Sequence, residues 1–98
     1  MIEDIKRNTT WEQTKSRADQ IINTIQLQAD FFKIKTRITP TVFISYDLFE
    51  AVLTVHRNEV TSNFEQGKFI YTICGYDLEL ITHGYNILYL GYSIMEDL

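Results

Sequence analysis

The 98-residue chain reads as an α+β protein, with helices covering one face of an antiparallel sheet. Three patterns predict this. An apolar stripe at helical spacing fills the first third. A β-branched and aromatic run, Thr41-Val42-Phe43-Ile44-Ser45, follows the lone proline, Pro40. Apolar and polar residues then alternate over most of the last third. The length suits one domain, 1–98, with 1–9 and 95–98 as tails.

The first predicted element is a helix over 11–32. Thr9-Thr10-Trp11-Glu12 places a hydroxyl three residues before a glutamate, the capping-box spacing. Trp11, Ala18, Ile25 and Phe32 recur every seven residues, with Ile22 and Ala29 on the same stripe. Ile21 and Leu27 widen it slightly. Glu12, Lys15, Asp19, Asn23, Gln26 and Asp30 fall opposite.

Residues 33–38 alternate basic or polar with apolar, as a short edge strand or an extended linker would. Pro40 stops any helix and biases Thr39 to an extended conformation. Thr41 to Ser45 has the composition of a buried strand. Asp47 with Glu50 is an acidic variant of the capping pattern, and Phe49, Val52, Leu53 and His56 follow at helical spacing. The spacing predicts a helix over 48–57. Residues 58–67 are polar and read as a loop.

Sheet patterning then takes over. Phe69, Tyr71 and Ile73 alternate within 68–74. Beyond Gly75, Tyr76, Leu78 and Leu80 face one way, Asp77 and Glu79 the other. His83-Gly84-Tyr85 reads as a turn, and 86–94 as the returning strand. Gly75 marks a turn between two strands or a bulge within one bent strand.

Composition narrows the function classes. Cys74 is the single cysteine, so no internal disulfide framework exists, and with two histidines there is no standard zinc finger. No apolar run approaches the ~20 residues that span a bilayer, and the N-terminus has no secretory h-region. The expectation is a cytoplasmic protein with a reduced thiol. The charge is uneven: residues 1–39 carry +2 and residues 40–98 carry −6, together −4. Such asymmetry marks two faces with different partners, head-to-tail self-association, or simply two solvated surfaces.

No constellation points firmly to chemistry. Ser45, Asp47 and His56 could be drawn as a hydrolytic set, but Ser45 and Asp47 sit where a helix cap belongs and no glycine-framed elbow surrounds the serine. His56 suits a packed helix end. Cys74 reads as a small buried hydrophobe, with no visible cation to make it a thiolate. Cys74 and His83, nine apart, could meet across a hairpin, but two ligands do not make a zinc site. Asp77 and Glu79 share a strand face and read as solvated. No phosphate loop or dinucleotide fingerprint occurs. The sequence therefore assigns no catalytic residue, metal or cofactor.

The aromatic content says more. Five of six tyrosines, Tyr71, Tyr76, Tyr85, Tyr89 and Tyr92, fall in the sheet third. Tyrosine suits half-exposed sheet positions and interface cores alike. A stacking platform for single-stranded nucleic acid needs flanking bases. Here the flanks are Asp77, Glu79, Glu96 and Asp97, with Lys68 as the lone base, which favours protein contact or ordinary sheet packing over nucleic acid. The candidate interaction residues are these five tyrosines with Asp77, Glu79 and Trp11.

The order of segments from Ala18 to about Tyr92 resembles the axial-domain segment of tailed-bacteriophage major capsid proteins. The resemblance lies in the helix ending at Phe31-Phe32, the 39–45 strand feeding a short helix, Ile73-Cys74-Gly75-Tyr76-Asp77-Leu78, and the 87–92 strand. It is one of pattern, covers about three-quarters of the chain, and departs at Tyr76-Asp77, where the family has an apolar residue and proline. It implies a phage-encoded assembly role, in host cytoplasm or virion.

Three function classes follow. The first is a non-enzymatic interaction or assembly module that self-associates, as a homo-oligomer, or binds a protein partner through its tyrosine-rich sheet and helix stripe. The second is an acidic inhibitor or nucleic-acid mimic of a host DNA-binding protein, using Glu50, Glu65, Asp77, Glu79, Glu96 and Asp97. The third is a small hydrolase or metal-dependent enzyme using Cys74, His56 or His83.

Overall fold

A computed structural model describes residues 2–92, with the side chains of 11–92. Its architecture is α+β. Helix α1 (Ile2–Thr36) leads to strand β1 (Thr41–Ser45), helix α2 (Tyr46–Val55) and a single 3-10 turn (Arg57–Glu59). Strands β2 (Val60–Glu65), β3 (Lys68–Ile73), β4 (Tyr76–Ile81) and β5 (Leu88–Gly91) follow. The five strands form one sheet in the order β2-β3-β4-β1-β5. Only β1 and β4 run parallel; the other neighbours are antiparallel.

Helix α1 is longer than the stripe predicts. No glycine or proline interrupts residues 2–36, so the backbone runs helically through Thr9 and Thr10, which do not begin it. The helix also absorbs residues 33–36, expected as strand or linker. It ends where Arg37 turns left-handed at φ 60° and its N–H donates to the Lys33 carbonyl. Pro40 prevents resumption.

At about 1.5 Å per residue, 35 residues span about 52 Å, most of the molecule's 60 Å length. Among its described side chains, those of the middle are seated. Ala18, Ile21, Ile22, Ile25 and Ala29 are buried against the body. Trp11, at the head of the predicted stripe, is 51% exposed. Leu27, counted with the buried stripe, points outward.

The core is closed from below by Val42 and Ile44 of β1, Ile73 of β3 and Leu78 of β4, and from above by α1 and by Leu48, Phe49, Ala51 and Val52 of α2. Val42, Ile44, Ile25, Val52 and Ile73 are fully buried. Each contributes about 1.5–3 kcal/mol through removal of apolar area from water. The β1 stretch forms a strand because β-branched residues fill both central sheet positions.

Two hairpins set the remaining register. Gln66-Gly67 and Cys74-Gly75 each take positive φ at both turn positions, at 53° and 80°, and at 54° and 84°. This is the mirror-image turn whose twist matches antiparallel strands, and glycine makes its second position accessible. Gly75 is thus a turn between strands, not a bulge. Residues 58–67, expected as loop, contain β2, paired with β3 from Val60↔Ile73 to Glu65↔Lys68. The returning strand is shorter than the expected 86–94, and residues 93–98 lie outside those described.

Candidate interaction surface

The C-terminal part of α1 turns apolar residues to solvent. Leu27, Phe31 and Ile34, at i, i+4 and i+7, share one side of the helix. They are 71%, 62% and 78% exposed. Ile38 continues the patch just past the helix end. A groove of about 540 Å³ opens between this side and strand β5, lined by Leu27, Phe31, Phe32, Lys35, Tyr89 and Leu90. Strand β5 pairs only with β1, so its other edge is free among the described residues. It carries no lysine, proline or bulge to blunt it.

The patch has a basic rim. The Lys35 ammonium sits 5.5 Å from the Phe31 ring centre, and that of Lys33 sits 5.1 Å from the Tyr76 ring centre. Lys33 also meets Asp30 at 3.8 Å, and its contact with Tyr76 holds its pKa above the ordinary lysine value. Arg37 follows, exposed, at the left-handed turn.

Among the described residues, no helix lies on the sheet's far side. Strand register puts Phe43, Glu79 and Tyr89 across from one another on that side, with Asp77 opposite Thr72, and Thr72 opposite Thr61. The rings of Phe43 and Tyr89 stack at 4.9 Å and 12°. Phe43 leans over Gly91, where a Cβ would come within 3.4 Å of the ring. The Thr61 and Thr72 hydroxyls bond across β2 and β3. Asp77 and Glu79 are exposed, and neither takes part in an ion pair among the described residues.

The five tyrosines do not make one surface. Tyr71 and Tyr76 lie on the helix side with Ile73 and Leu78, half-buried. Tyr71 meets Phe49 edge-on at 5.6 Å, and Tyr92 meets Phe32 at 6.2 Å. Tyr85 is in the β4–β5 loop, and of the five only Tyr89 stacks on the far-side Phe43, at the β5 edge where it also borders the α1 groove. Trp11 precedes Leu27 by sixteen residues, about 24 Å of helix. It belongs to no shared patch with the tyrosines. Leu27 reads from sequence as part of the buried stripe, Phe31 only as the helix end, and Ile34 escapes because 33–38 looks extended. Continuing the helical spacing past Phe32 joins Ile34 to Leu27 and Phe31 as one exposed side.

The polar groups hold the fold. Ser45 precedes α2 but makes no side-chain capping bond. Its hydroxyl donates to Asp47 at 2.6 Å and accepts from the Ile87 N–H at 3.0 Å, while its own N–H donates to the Ile87 carbonyl. Asp47 accepts from the Asn86 N–H at 3.2 Å, and Arg17 reaches both Asn86 at 3.0 Å and Asp47 at 3.6 Å. This cluster ties the β4–β5 loop to α1 and α2. The Ser45 bond, first, and the Asn86 bond hold the Asp47 carboxyl below the usual range.

The sequence-drawn hydrolytic set does not assemble. Ser45 and His56 flank the ten-residue α2 at opposite ends, about 15 Å apart. His56 instead bonds Asp19 of α1 at 2.6 Å, and that bond lowers the Asp19 pKa. Cys74 lies in a turn, not in a strand, and is half-buried. Burial, then nearby Glu59, pushes its pKa up to about 11, so it is a thiol at neutral pH. Strand β4 separates Cys74 from His83 by its full length, about 17 Å. Among the described residues no group of three or more His, Cys, Asp or Glu side chains could hold a metal ion. None of their helices is long and apolar enough to cross a membrane.

Comparison with protein-family models, curated proteins and solved structures found no match to this chain.

Proposed function

We propose that the chain is a non-enzymatic interaction module that works through the C-terminal half of α1 and the adjoining β5 edge. The carrying observation is the continuity of exposed Leu27, Phe31 and Ile34 with the groove beside a free strand edge. Large side chains exposed together, with a basic rim, have the composition of a binding patch rather than a solvated face. The polar clusters support the reading from the other direction. Ser45, Asp47 and His56 are each engaged in holding elements together.

The test compares wild type with a Phe31→Glu, Ile34→Glu variant. Both side chains are exposed, so folding should survive, with an unchanged circular dichroism spectrum and melting profile. Light scattering across a concentration series, and affinity capture from matched lysates, should show assembly or binding for wild type and its loss in the variant. Equal behaviour of the two proteins would remove the patch from the function.

A further inference from the structure

Two surfaces of this molecule set exposed apolar side chains beside charges of opposite sign. The first is the α1 terminus, where Phe31, Ile34 and Ile38 stand exposed among Lys35 and Arg37. The second is the helix-free side of the sheet, where the stacked Phe43–Tyr89 pair stands beside Asp77 and Glu79. Asp77 and Glu79 are exposed and lack ion-pair partners within the described chain, as does Arg37. Lys35 has only the Phe31 ring beneath it. The division extends to the whole sequence, +2 over residues 1–39 and −6 over residues 40–98.

We propose that the occupant of the helix-free sheet face is the basic α1 terminus of a second copy of this chain. The inference rests on the interaction reading above and names its partner. Phe31 and Ile34 of one copy lie against the Phe43–Tyr89 pair of the next. Lys35 and Arg37 reach Glu79 and Asp77. An aromatic and aliphatic centre with an ionic rim is the usual anatomy of a protein interface. The charges set orientation and approach, and the apolar centre supplies the affinity. Because the two surfaces differ, the contact is reciprocal only about a two-fold axis; otherwise it repeats head to tail. With four residues at the centre of each side, the contact falls at the small end of specific interfaces, so assembly depends on concentration.

Reciprocal charge reversal tests this. Wild type should show a mass above monomer that rises with concentration in light scattering and falls as salt is added. Lys35→Glu with Arg37→Glu should weaken association by about tenfold or more, as should Asp77→Lys with Glu79→Lys. A mixture of the two variants should re-form a complex, because the intact basic α1 terminus of one meets the intact acidic sheet face of the other, and the two reversed surfaces also match in sign. All substituted positions are exposed, so unchanged melting profiles will confirm folding. A wild type that stays monomeric throughout overturns the proposal, and so does association that ignores the sheet-face reversal. Those results leave the interaction reading standing if Phe31→Glu, Ile34→Glu still abolishes capture of another protein. If that variant changes nothing either, both fall.

Discussion

The two sides of the sheet are built from alternate residues of the same strands, yet they serve different purposes. Ile44 and Phe43 are neighbours in β1. Ile44 is fully buried under both helices, whereas Phe43 faces the uncovered side, half-buried only because Tyr89 stacks on it. Leu78 and Glu79 repeat the contrast in β4, one in the core and one in solvent. With a side-chain period of two, a single strand carries a folding code on one side and a surface code on the other. Stability should therefore be concentrated on the helix side.

Substitution at Ile44 is the strongest way to challenge that division. Ile44→Ala removes buried methyl groups between β4, β5 and the helices and leaves a cavity. Urea unfolding should show a loss of about 2–5 kcal/mol. A loss below about 1 kcal/mol would mean that the helices seat less tightly on β1 than the burial implies.

The polar cluster at the end of β1 should have a smaller effect. Ser45→Ala leaves the Ile87 N–H without its side-chain acceptor and removes a bond to Asp47. About 1–3 kcal/mol should be lost. The same cluster predicts an acid limb. Asp47 ionises below its usual value of 3.8 in the folded chain because Ser45 and the Asn86 N–H bond the carboxylate. The unfolded chain takes up the proton first as pH falls. The stabilisation is therefore present above pH 3.8 and lost as pH drops through the folded value. Asp47→Asn should flatten the dependence of the urea midpoint on pH in that range, and an equally steep limb would assign it to other carboxylates such as Asp19.

Much of this division is legible in the sequence. The β1 run, the alternation after Gly75 and the Ala18–Ile25–Ala29 stripe all report one buried side, because burial is written at period 2 or 3.6. What escaped was set by pairing rather than by pattern. Beyond Val60, which packs against the core, strand β2 is exposed and mostly polar, so its side chains carry little alternation. It is held by its ladder to β3, the Gln66-Gly67 turn and the Thr61–Thr72 bond. The tyrosines divided between sides because register decides which residues face the helices. The alternation in residues 33–38 suggested a strand, but Ile34 continues a helical series from Leu27 and Phe31 that faces solvent. An exposed apolar series looks like an error in a folding code until it is treated as a surface.

The smallest expected effect on folding is the sharpest test of the comparison. Asp77 and Glu79 lie two residues apart on one side of β4, exposed and without ionic partners among the described residues. Two like charges at that spacing repel weakly in water, and neither is repaid within the chain. Replacing both with alanine should change unfolding free energy by no more than about 0.5 kcal/mol. The same variant should lose the salt-sensitive part of self-association seen by light scattering. A loss of stability well beyond that bound would show that the uncovered side contributes to folding after all, and the two sides would then differ in degree rather than in purpose.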